Sequence, residues 1–502
     1  MSSSGSSPSN GGLGRAATSG VVWLIAQSLT ARLFGFFSQL ALAALLLPAD
    51  FGVIGLANTV ASVAQVLVGF GVDDVLLQRQ RTVRFWSTPA FWISLALGIV
   101  GMLTMIVAAP IAAGIYHSRS VMGLILILAI AMPIQALATV PSVTIRLAMD
   151  FRFLAAYNTF EIAALQTSTI LLAWGGFGAY SFAIPIPLLA LIRAGWFWRK
   201  APARIWQRFR LVQAKYMFGS SSLVFATRTL IEFVNQGDYI VLGIIASHNV
   251  VGLYYFAFRF SVQPVRMLAG NFTNVLFPAL AQLRSSPEQQ ADAALRASRL
   301  LSYLVVPFCF LQAALAGPGL HLLFGNRWLG AVPLVQLLSI GLPFDAVSWI
   351  TGSLLSARRE FKRMFRFAIV CAPLFYIAVI VGGKLDGATG VATAVVVYYA
   401  VYPPLASLLI FRSRMISVIR IIELYVAPLV LAGLSMTVGF LLSTLPAIAN
   451  HNLLRCLVIG TAGSSLYVAA LYLLRREVFR ELFGRFYNLV RKVTLKTNPR
   501  LV

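Results

Sequence analysis

Long apolar segments follow one another along almost the whole chain, separated by short polar turns. Each holds roughly the ~20 apolar residues that a helix needs to cross a bilayer. We count about fourteen of them. Their approximate limits are 21–46, 51–76, 89–113, 121–145, 154–174, 178–198, 218–245, 250–279, 300–324, 331–356, 364–383, 388–411, 423–445 and 453–474. The pattern therefore predicts an all-α polytopic membrane protein.

The composition agrees with this class and excludes others. Of the 502 residues, 59% are hydrophobic and 11% are charged, whereas about a quarter of a soluble domain is charged. The net charge of +25 would suggest nucleic acid as a partner of a soluble protein. Here most Lys and Arg fall in loops on the side of the N-terminus, as the positive-inside rule requires. We therefore predict that both termini are cytoplasmic and that no nucleic acid is bound.

The few basic residues elsewhere fit this topology. Four lie in or near exterior turns, namely Arg119, Arg327, Lys384 and Arg455. A fifth, Arg193, lies next to an aromatic belt near the end of its span, and we expect it to reach the interface. The three cysteines form no CxxC pair, and no P-loop or Gly-x-Gly-x-x-Gly motif is present. The sequence thus predicts no disulfide, no resident cofactor and no enzymatic activity.

The chain repeats itself. Residues 31–36 and 47–57 give an arginine-bearing helix, a short exterior turn and a second helix led by glycine. Residues 227–230 and 247–257 give the same order. Both halves start inside and contain six spans, so the repeat axis lies along the membrane normal. Transporters built in this way bind substrate between their halves.

The repeat and the flanking segments define the predicted organisation. We expect a disordered cytoplasmic tail at 1–20, a six-helix bundle at 21–198, a cytoplasmic linker at 199–217, a second six-helix bundle at 218–412, two additional helices at 413–474 and a basic amphipathic tail at 475–502. Apolar Phe479, Leu482 and Phe486 share one stripe of this tail. The stripe is typical of a helix that lies in the plane of an anionic leaflet.

Four arginines lie within apolar spans: Arg32, Arg228, Arg259 and Arg266. An arginine at the centre of a bilayer costs at least ~2.5–3.5 kcal/mol unless it faces protein or water, so such residues mark a substrate path. Because the guanidinium fork suits phosphate oxygens, we expect an anionic cargo. Arg259, Gln263 and Arg266 share one helical face, and Gln39 shares a face with Arg32. These side chains are the predicted substrate cavity.

Acidic residues within the spans are candidates to bind a coupling ion. Asp238 and Glu232 lie in the seventh span, and H⁺ and Na⁺ both remain open as the ion, with Asp238 as the site for either. An alternative is that Arg228 and Glu232, four residues apart, form a pair that only fixes helix packing. Glu161 and Asp345 are two further acids, for which a packing role is the alternative.

The motifs around the first span pair resemble a known family. The turn Leu45–Gly52 and the segment Gly69–Arg79 are similar to those of the polysaccharide transporter branch, with its Wzx-type flippases, of the multidrug/oligosaccharidyl-lipid/polysaccharide exporter superfamily. The resemblance implies two six-helix bundles in a V shape in the bacterial inner membrane. It also implies transfer of undecaprenyl-pyrophosphate-linked oligosaccharide to the outer leaflet.

A comparison with the lipid II flippases of this superfamily is possible residue by residue. Their first-helix motif matches Arg32–Phe36, their eighth-helix motif is similar to Tyr255–Pro264, and their cation-site aspartate falls at Asp238. The chain departs from them at Ser38 and Gln39, where they have an Arg-Asp pair. This difference argues against lipid II as the cargo.

Three hypotheses follow. The first is an ion-coupled flippase for lipid-linked oligosaccharides that works by alternating access, surrounded by membrane lipids and served by a polymerase and glycosyltransferases of the same pathway. The second is a drug or metabolite exporter of the same fold, which would have an acid-rich cavity. The third, a scaffold without transport activity, does not explain the arginines in the spans.

Overall fold

A computed structural model describes residues 34–35, 37–69, 72–73, 76, 83–202, 205, 211–412, 417–482 and 484. These residues form helices and turns and contain no strand, so the all-helical fold class is confirmed. The predicted tail at 1–20, Arg32 and the end of the C-terminal tail lie outside the described residues.

The helices are numbered here in chain order. They are α1 37–45, α2 Pro48–Val68, α3 Val83–Ile115, α4 Arg119–Leu137, α5 Thr139–Leu147, α6 Phe151–Trp174, α7 Pro185–Lys200, α8 Leu211–Ile245, α9 His248–Ser261, α10 Gln263–Gln282, α11 Pro287–Phe324, α12 Val332–Gly341, α13 Pro343–Arg358, α14 Phe361–Arg412, α15 Val418–Ser443, α16 Asn452–Leu474 and α17 476–482.

Eight helices of the described residues are long and apolar enough to cross a membrane, or nine when a bent pair around Leu342 is counted as one span. The helix α14 is counted once, although Asp386 and Gly387 interrupt its helical geometry. Gly387 has φ +51°, a conformation that glycine adopts without strain. The break coincides with the predicted exterior turn between two spans. The multi-pass class is confirmed, and the number fourteen stays a prediction.

The helix bounds and the packing units of the structure can be compared with the predicted domains. Helix α8 begins at Leu211, so the last part of the predicted linker 199–217 is helical. The described chain also packs as two compact units. Unit 1 contains the residues up to Tyr255 together with Phe365–Gly383, and unit 2 contains Phe256–Met364 and the residues from Lys384 onward. The predicted bundles at 21–198 and 218–412 are defined by the sequence repeat, and they stay a prediction.

One end of unit 1 is held by polar contacts at helix ends. Asp150 caps α6 by accepting a hydrogen bond from the Phe153 N–H at 3.1 Å, as N-cap residues do. The Lys200 ammonium lies 3.1 Å from the same carboxylate. Nearby, the Trp198 indole donates to the Leu137 carbonyl at 2.8 Å. These contacts fix the end of α7 against α4 and α6.

Two glycines at equivalent positions of the repeat touch in unit 1. A Cβ added to Gly52 would lie 1.9 Å from the His248 carbonyl oxygen, and one added to Gly252 would lie 1.6 Å from the Pro48 carbonyl oxygen. The contact is nearly symmetric, since Pro48 and Gly52 of α2 meet His248 and Gly252 of α9. Only glycine permits the two backbones to approach so closely.

Unit 2 includes the two additional helices and the start of the C-terminal tail. Leu300 and Tyr303 of α11 pack with Met436 of α15 and Tyr467 of α16, and Val478 of α17 is buried in the same cluster. The cluster shows that α15 and α16 are bound to the unit by an apolar core.

The apolar stripe of the tail is covered by protein where it is described. Phe479 and Leu482 pack against the core of unit 2, and Glu481 pairs with Arg296 and Arg299 of α11. Part of the stripe therefore packs on protein, and the position of the tail on a lipid leaflet stays a prediction. The protein core offers the same apolar surface as the lipid, and a helical stripe by itself does not distinguish between them.

Candidate functional site

Two of the predicted cavity residues lie in unit 1. Arg228 is exposed on α8 and donates a long hydrogen bond of 3.5 Å to the Gly69 carbonyl. Gln39 is 7% exposed, and within the described residues its amide nitrogen has no hydrogen-bond partner. An exposed guanidinium and an unsatisfied amide are donors that an anionic or hydroxylated ligand could use.

The other three described cavity residues lie in unit 2. Arg259 and Gln263 are half-buried and Arg266 is exposed. The helix turns at Val262, but the Val262 N–H still donates to the Phe258 carbonyl at 2.9 Å, and the Arg266 N–H donates to the Val262 carbonyl at 2.9 Å. The helical path therefore continues, and the structure agrees with the predicted common face.

Glu232 belongs to a chain of polar side chains that connects α8 to α2. It accepts a hydrogen bond from the Gln236 amide at 2.8 Å, and the Gln236 carbonyl oxygen lies 3.4 Å from the Thr59 hydroxyl. Because Gln236 and Thr59 are neutral, they neutralise no charge on Glu232. The alternative that Arg228 pairs with Glu232 stays open, and the Gln236 amide lies one turn away from Glu232 on the other side.

Asp238 is enclosed. Its side chain is 2% exposed, and its two oxygens accept hydrogen bonds from the Tyr254 hydroxyl at 2.7 Å and from the Tyr239 N–H at 2.9 Å. The ring of Tyr239 packs edge-on against that of Tyr254, with ring centroids 5.6 Å apart. Burying a carboxylate costs free energy that hydrogen bonds to it offset. The Tyr254 hydroxyl and the Tyr239 N–H donate two such bonds to Asp238.

Aromatic side chains close the region around Asp238 from α14. A Cβ on the neighbouring Gly237 would lie 2.9 Å from the Tyr376 ring and 3.0 Å from the Phe375 ring. The Tyr376 hydroxyl donates to the Phe233 carbonyl at 2.8 Å. Sequence reasoning missed Tyr254 and Tyr376. The sequence indicated only that a buried carboxylate needs hydrogen-bond donors. It could not show which of the 16 tyrosines of the chain donates to Asp238.

A cavity of about 380 Å³ lies in unit 1 among α2, α3 and α8. Its walls are mostly apolar, and its polar groups include the hydroxyls of Thr59, Thr104 and Thr229. Arg228, Arg259 and Arg266 are not among the described residues of its lining. A phosphate would gain little from these described residues, because none of them is a charged donor.

Two further acids of the spans have partners. Glu161 forms an ion pair with Arg193 at 3.5 Å, and the Arg193 guanidinium lies over the Phe197 ring at 5.2 Å. The expectation that Arg193 only reaches the interface was incomplete, because the pairing between α6 and α7 depends on packing. Asp345 accepts a hydrogen bond from the Trp349 indole at 3.0 Å.

The described polar residues of the site could bind a ligand. Within the described part of the chain, no group of three or more His, Cys, Asp or Glu is placed to hold a metal ion. What the structure brings together in unit 1 is an exposed arginine, a polar chain ending in Glu232 and an enclosed Asp238. Unit 2 adds the face of Arg259, Gln263 and Arg266.

Known proteins with similar sequences are named for polysaccharide biosynthesis and transport. A family model described as "Polysaccharide biosynthesis protein" matches residues 41–333. The succinoglycan biosynthesis transport protein ExoT of Rhizobium meliloti is 26% identical over 88% of this chain and 90% of its own length. The lipopolysaccharide biosynthesis protein WzxC of Escherichia coli is 24% identical over 68% of this chain and 70% of its own length. The predicted resemblance to the polysaccharide transporter branch is confirmed.

Two solved structures share the fold. The lipid II flippase MurJ in an inward closed conformation superposes with a TM-score of 0.71 at 14% identity, over 91% of this chain and all of that one. An inward-facing multidrug transporter of the same superfamily gives a TM-score of 0.53 at 17% identity, over 80% of this chain and 94% of that one.

Proposed function

This chain belongs to the polysaccharide biosynthesis protein family, and from this premise we propose that it is a flippase. The proposed cargo is an undecaprenyl-pyrophosphate-linked oligosaccharide repeat unit, which crosses the bacterial inner membrane from the cytoplasmic to the outer leaflet. A polymerase and glycosyltransferases of the same pathway would act beside it. Relatives named for succinoglycan transport and lipopolysaccharide biosynthesis support this cargo class.

The observation that carries the proposal is the exposure of Arg228 and Arg266 on helices of a membrane protein. A guanidinium at membrane depth is tolerated where it faces water or an anionic ligand. Such a group can donate two-pronged hydrogen bonds to a pyrophosphate or single hydrogen bonds to sugar hydroxyls, while the polyprenyl chain stays in the lipid. A cationic excess of this kind does not suit the alternative, an exporter of cationic drugs.

Transport into proteoliposomes tests the proposal. The measurement is the transfer of labelled lipid-linked oligosaccharide between leaflets, with the membrane content of each variant quantified. We expect Arg259→Ala and Arg266→Ala to reduce transfer at least tenfold, and the corresponding Lys variants to restore part of it, since Lys keeps the charge but loses the planar fork. Arg284→Ala, at an exposed turn, is the matched control. Normal transfer by both Ala variants would remove the arginines from the substrate path.

We further propose that the flippase works by alternating access coupled to a cation at Asp238, with Glu232 as the second candidate acid of α8. A ligand shifts a conformational equilibrium only by its differential affinity for the two states. The enclosure of Asp238 by Tyr254 and Tyr239 supports the proposal, because such a site would gain access to water only when the helices around it move.

The coupling proposal has its own experiment. Transfer is measured under imposed H⁺ and Na⁺ gradients, and we expect Asp238→Asn to lose the response to the gradient while it still binds the lipid-linked oligosaccharide. Glu288→Gln, an exposed acid at the start of α11, is the control. If both Asp238→Asn and Glu232→Gln keep a full response, α8 does not contain the coupling site.

A further inference from the structure

A tryptophan is exposed near the middle of α13 in unit 2, next to a carboxylate. Trp349 is 36% exposed, and its indole N–H donates to the Asp345 carboxylate at 3.0 Å. The hydrogen bond fixes the plane of the ring, because Asp345 lies one turn earlier on the same helix. The result is a flat apolar surface with a carboxylate at its edge.

Two further polar groups border this surface. The Ser348 hydroxyl is in hydrogen-bonding range of the Asp345 carboxylate, and Arg266 of α10 interacts with that carboxylate electrostatically. Arg266 is exposed, and nothing within the described residues is shown to hydrogen-bond or ion-pair with its guanidinium. Donors and acceptors therefore lie on both sides of the ring.

The space beside the ring is open. Gly352 follows Trp349 by three residues, and a Cβ added there would meet nothing within 4 Å. This face does not belong against lipid tails, because it bears both Arg266 and Asp345, and charged side chains in spanning helices face the bundle interior or a water-filled cavity. A ligand in such a cavity could approach the ring.

From these observations we propose that Trp349, Asp345, Ser348 and Arg266 form a subsite for the glycan of the cargo, distinct from the contacts to its pyrophosphate. A sugar ring has an apolar face of C–H groups, which packs on an aromatic ring, and a rim of hydroxyls that both donate and accept hydrogen bonds. The subsite offers a ring for the first and a carboxylate, a hydroxyl and a guanidinium for the second.

Charge separates this subsite from a phosphate site. The charges of Arg266 and Asp345 cancel locally, so a phosphate would meet a carboxylate that repels it, whereas an uncharged sugar would not. The proposal rests on the proposed function, because it assumes a lipid-linked glycan as cargo. It adds which residues select the glycan and assigns Arg266 to that end of the molecule.

Binding of two probes to the full chain in nanodiscs tests the subsite. The probes are undecaprenyl pyrophosphate without sugar and the same lipid with one hexose. We expect the wild type to bind the second more tightly, and Trp349→Ala to reduce this preference about fivefold, the effect of losing one aromatic contact. Affinity for the lipid without sugar should not change. Trp349→Phe, which keeps a ring, should retain most of the preference.

Further variants distinguish a failure of the glycan subsite from a failure of the proposed function. Asp345→Asn should reduce the preference for the hexose, and Trp174→Ala, at another exposed tryptophan, should leave it unchanged. Arg259→Ala should weaken binding of both probes by the same factor. Equal binding of both probes by the wild type, or an unchanged preference in Trp349→Ala, would overturn the glycan subsite alone. A wild type that binds neither probe would overturn the proposed function and the subsite with it.

Discussion

At the scale of single residues, the role of each acidic side chain depends on the groups that donate hydrogen bonds to it. Asp238 keeps a buried carboxylate because Tyr254 and the Tyr239 N–H donate to it. Asp150 combines an N-cap with an ion pair to Lys200. In both cases the sequence shows an acid within or beside an apolar span, and only the donors determine what that acid does.

The bond between Tyr254 and Asp238 leads to a first prediction. Tyr254→Phe should lower the free energy of unfolding by about 1.5–3 kcal/mol, the usual effect of losing a hydrogen bond to a charged group. Tyr255→Phe, which loses only a neutral bond from the Asn58 amide, should cost about 0.5–1.5 kcal/mol. Thermal unfolding in detergent measures both. Additive effects of Tyr254→Phe and Asp238→Asn would contradict a direct interaction.

Asp150 gives a prediction for pH. The Phe153 N–H and then Lys200 lower the pKa of the Asp150 carboxyl below its ordinary value of 3.8. A lowered pKa means stability that is present above the unfolded-state pKa and lost as the pH falls through the folded one. The wild type should therefore be more stable than Asp150→Asn at neutral pH, and this advantage should begin to shrink as the pH falls below 3.8 and be lost as it falls through the lowered pKa of Asp150.

Unfolding midpoints between pH 3 and 7 measure the difference between wild type and Asp150→Asn. Since Asn is also a good N-cap, Asp150→Asn should lose only the ion pair, whereas Asp150→Ala should lose about 1 kcal/mol more. A difference that grows as the pH falls would contradict the assigned sign.

At the scale of helices, close backbone contact decides which elements meet. The α2 and α9 helices meet at Gly52 and Gly252, and Gly55 similarly lies under the Tyr255 ring, where a Cβ would be 2.8 Å from a ring carbon. Larger residues at these positions would push the helices apart. The repeat of glycine in both halves of the sequence is explained by this symmetric contact.

The close contact between α2 and α9 gives a third prediction. Gly52→Ala or Gly252→Ala should destabilise the protein by roughly 1–3 kcal/mol or more, since the new methyl overlaps a backbone carbonyl that cannot rotate away. Gly195→Ala in α7, where a Cβ meets nothing within 4 Å, should instead stabilise by up to about 1 kcal/mol through helix propensity. Thermal unfolding compares the three, and equal effects would show that α2 and α9 do not pack this closely.

At the scale of the whole molecule, the fold is that of the superfamily, whereas its orientation in the membrane is a proposal. The fold similarity covers 91% of the chain. The distribution of Lys and Arg predicts that both termini lie in the cytoplasm. Each predicted exterior turn should then be accessible from one side only.

Cysteine labelling from outside tests this orientation. In a background without Cys309, Cys371 and Cys456, we expect a membrane-impermeant reagent to label Ser118→Cys and Leu385→Cys, which occupy predicted exterior turns. Lys362→Cys should be labelled only after permeabilisation. Leu385 is 81% exposed, so access to it is not limited by packing. The reverse pattern would exclude cytoplasmic termini.

The sequence by itself determined the features that depend on local composition. Apolar runs predicted the helices, because the bilayer requires about 20 apolar residues per span. The arginines within spans indicated the cargo charge, and the repeat indicated that Gly52 and Gly252 are equivalent. Each of these properties can be read from the sequence of the segments concerned, without knowledge of what packs against them.

Only the tertiary structure decided which distant side chains meet. In the structure, Tyr254 donates a hydrogen bond to Asp238, and Arg193 forms an ion pair with Glu161. Arg266 of α10 lies near Asp345 of α13, and part of the tail's apolar stripe packs against protein. The sequence could not decide this because many residues of the same type compete for each partner. Which one is in reach depends on helix rotation and crossing, and those follow from packing over the whole helix surface.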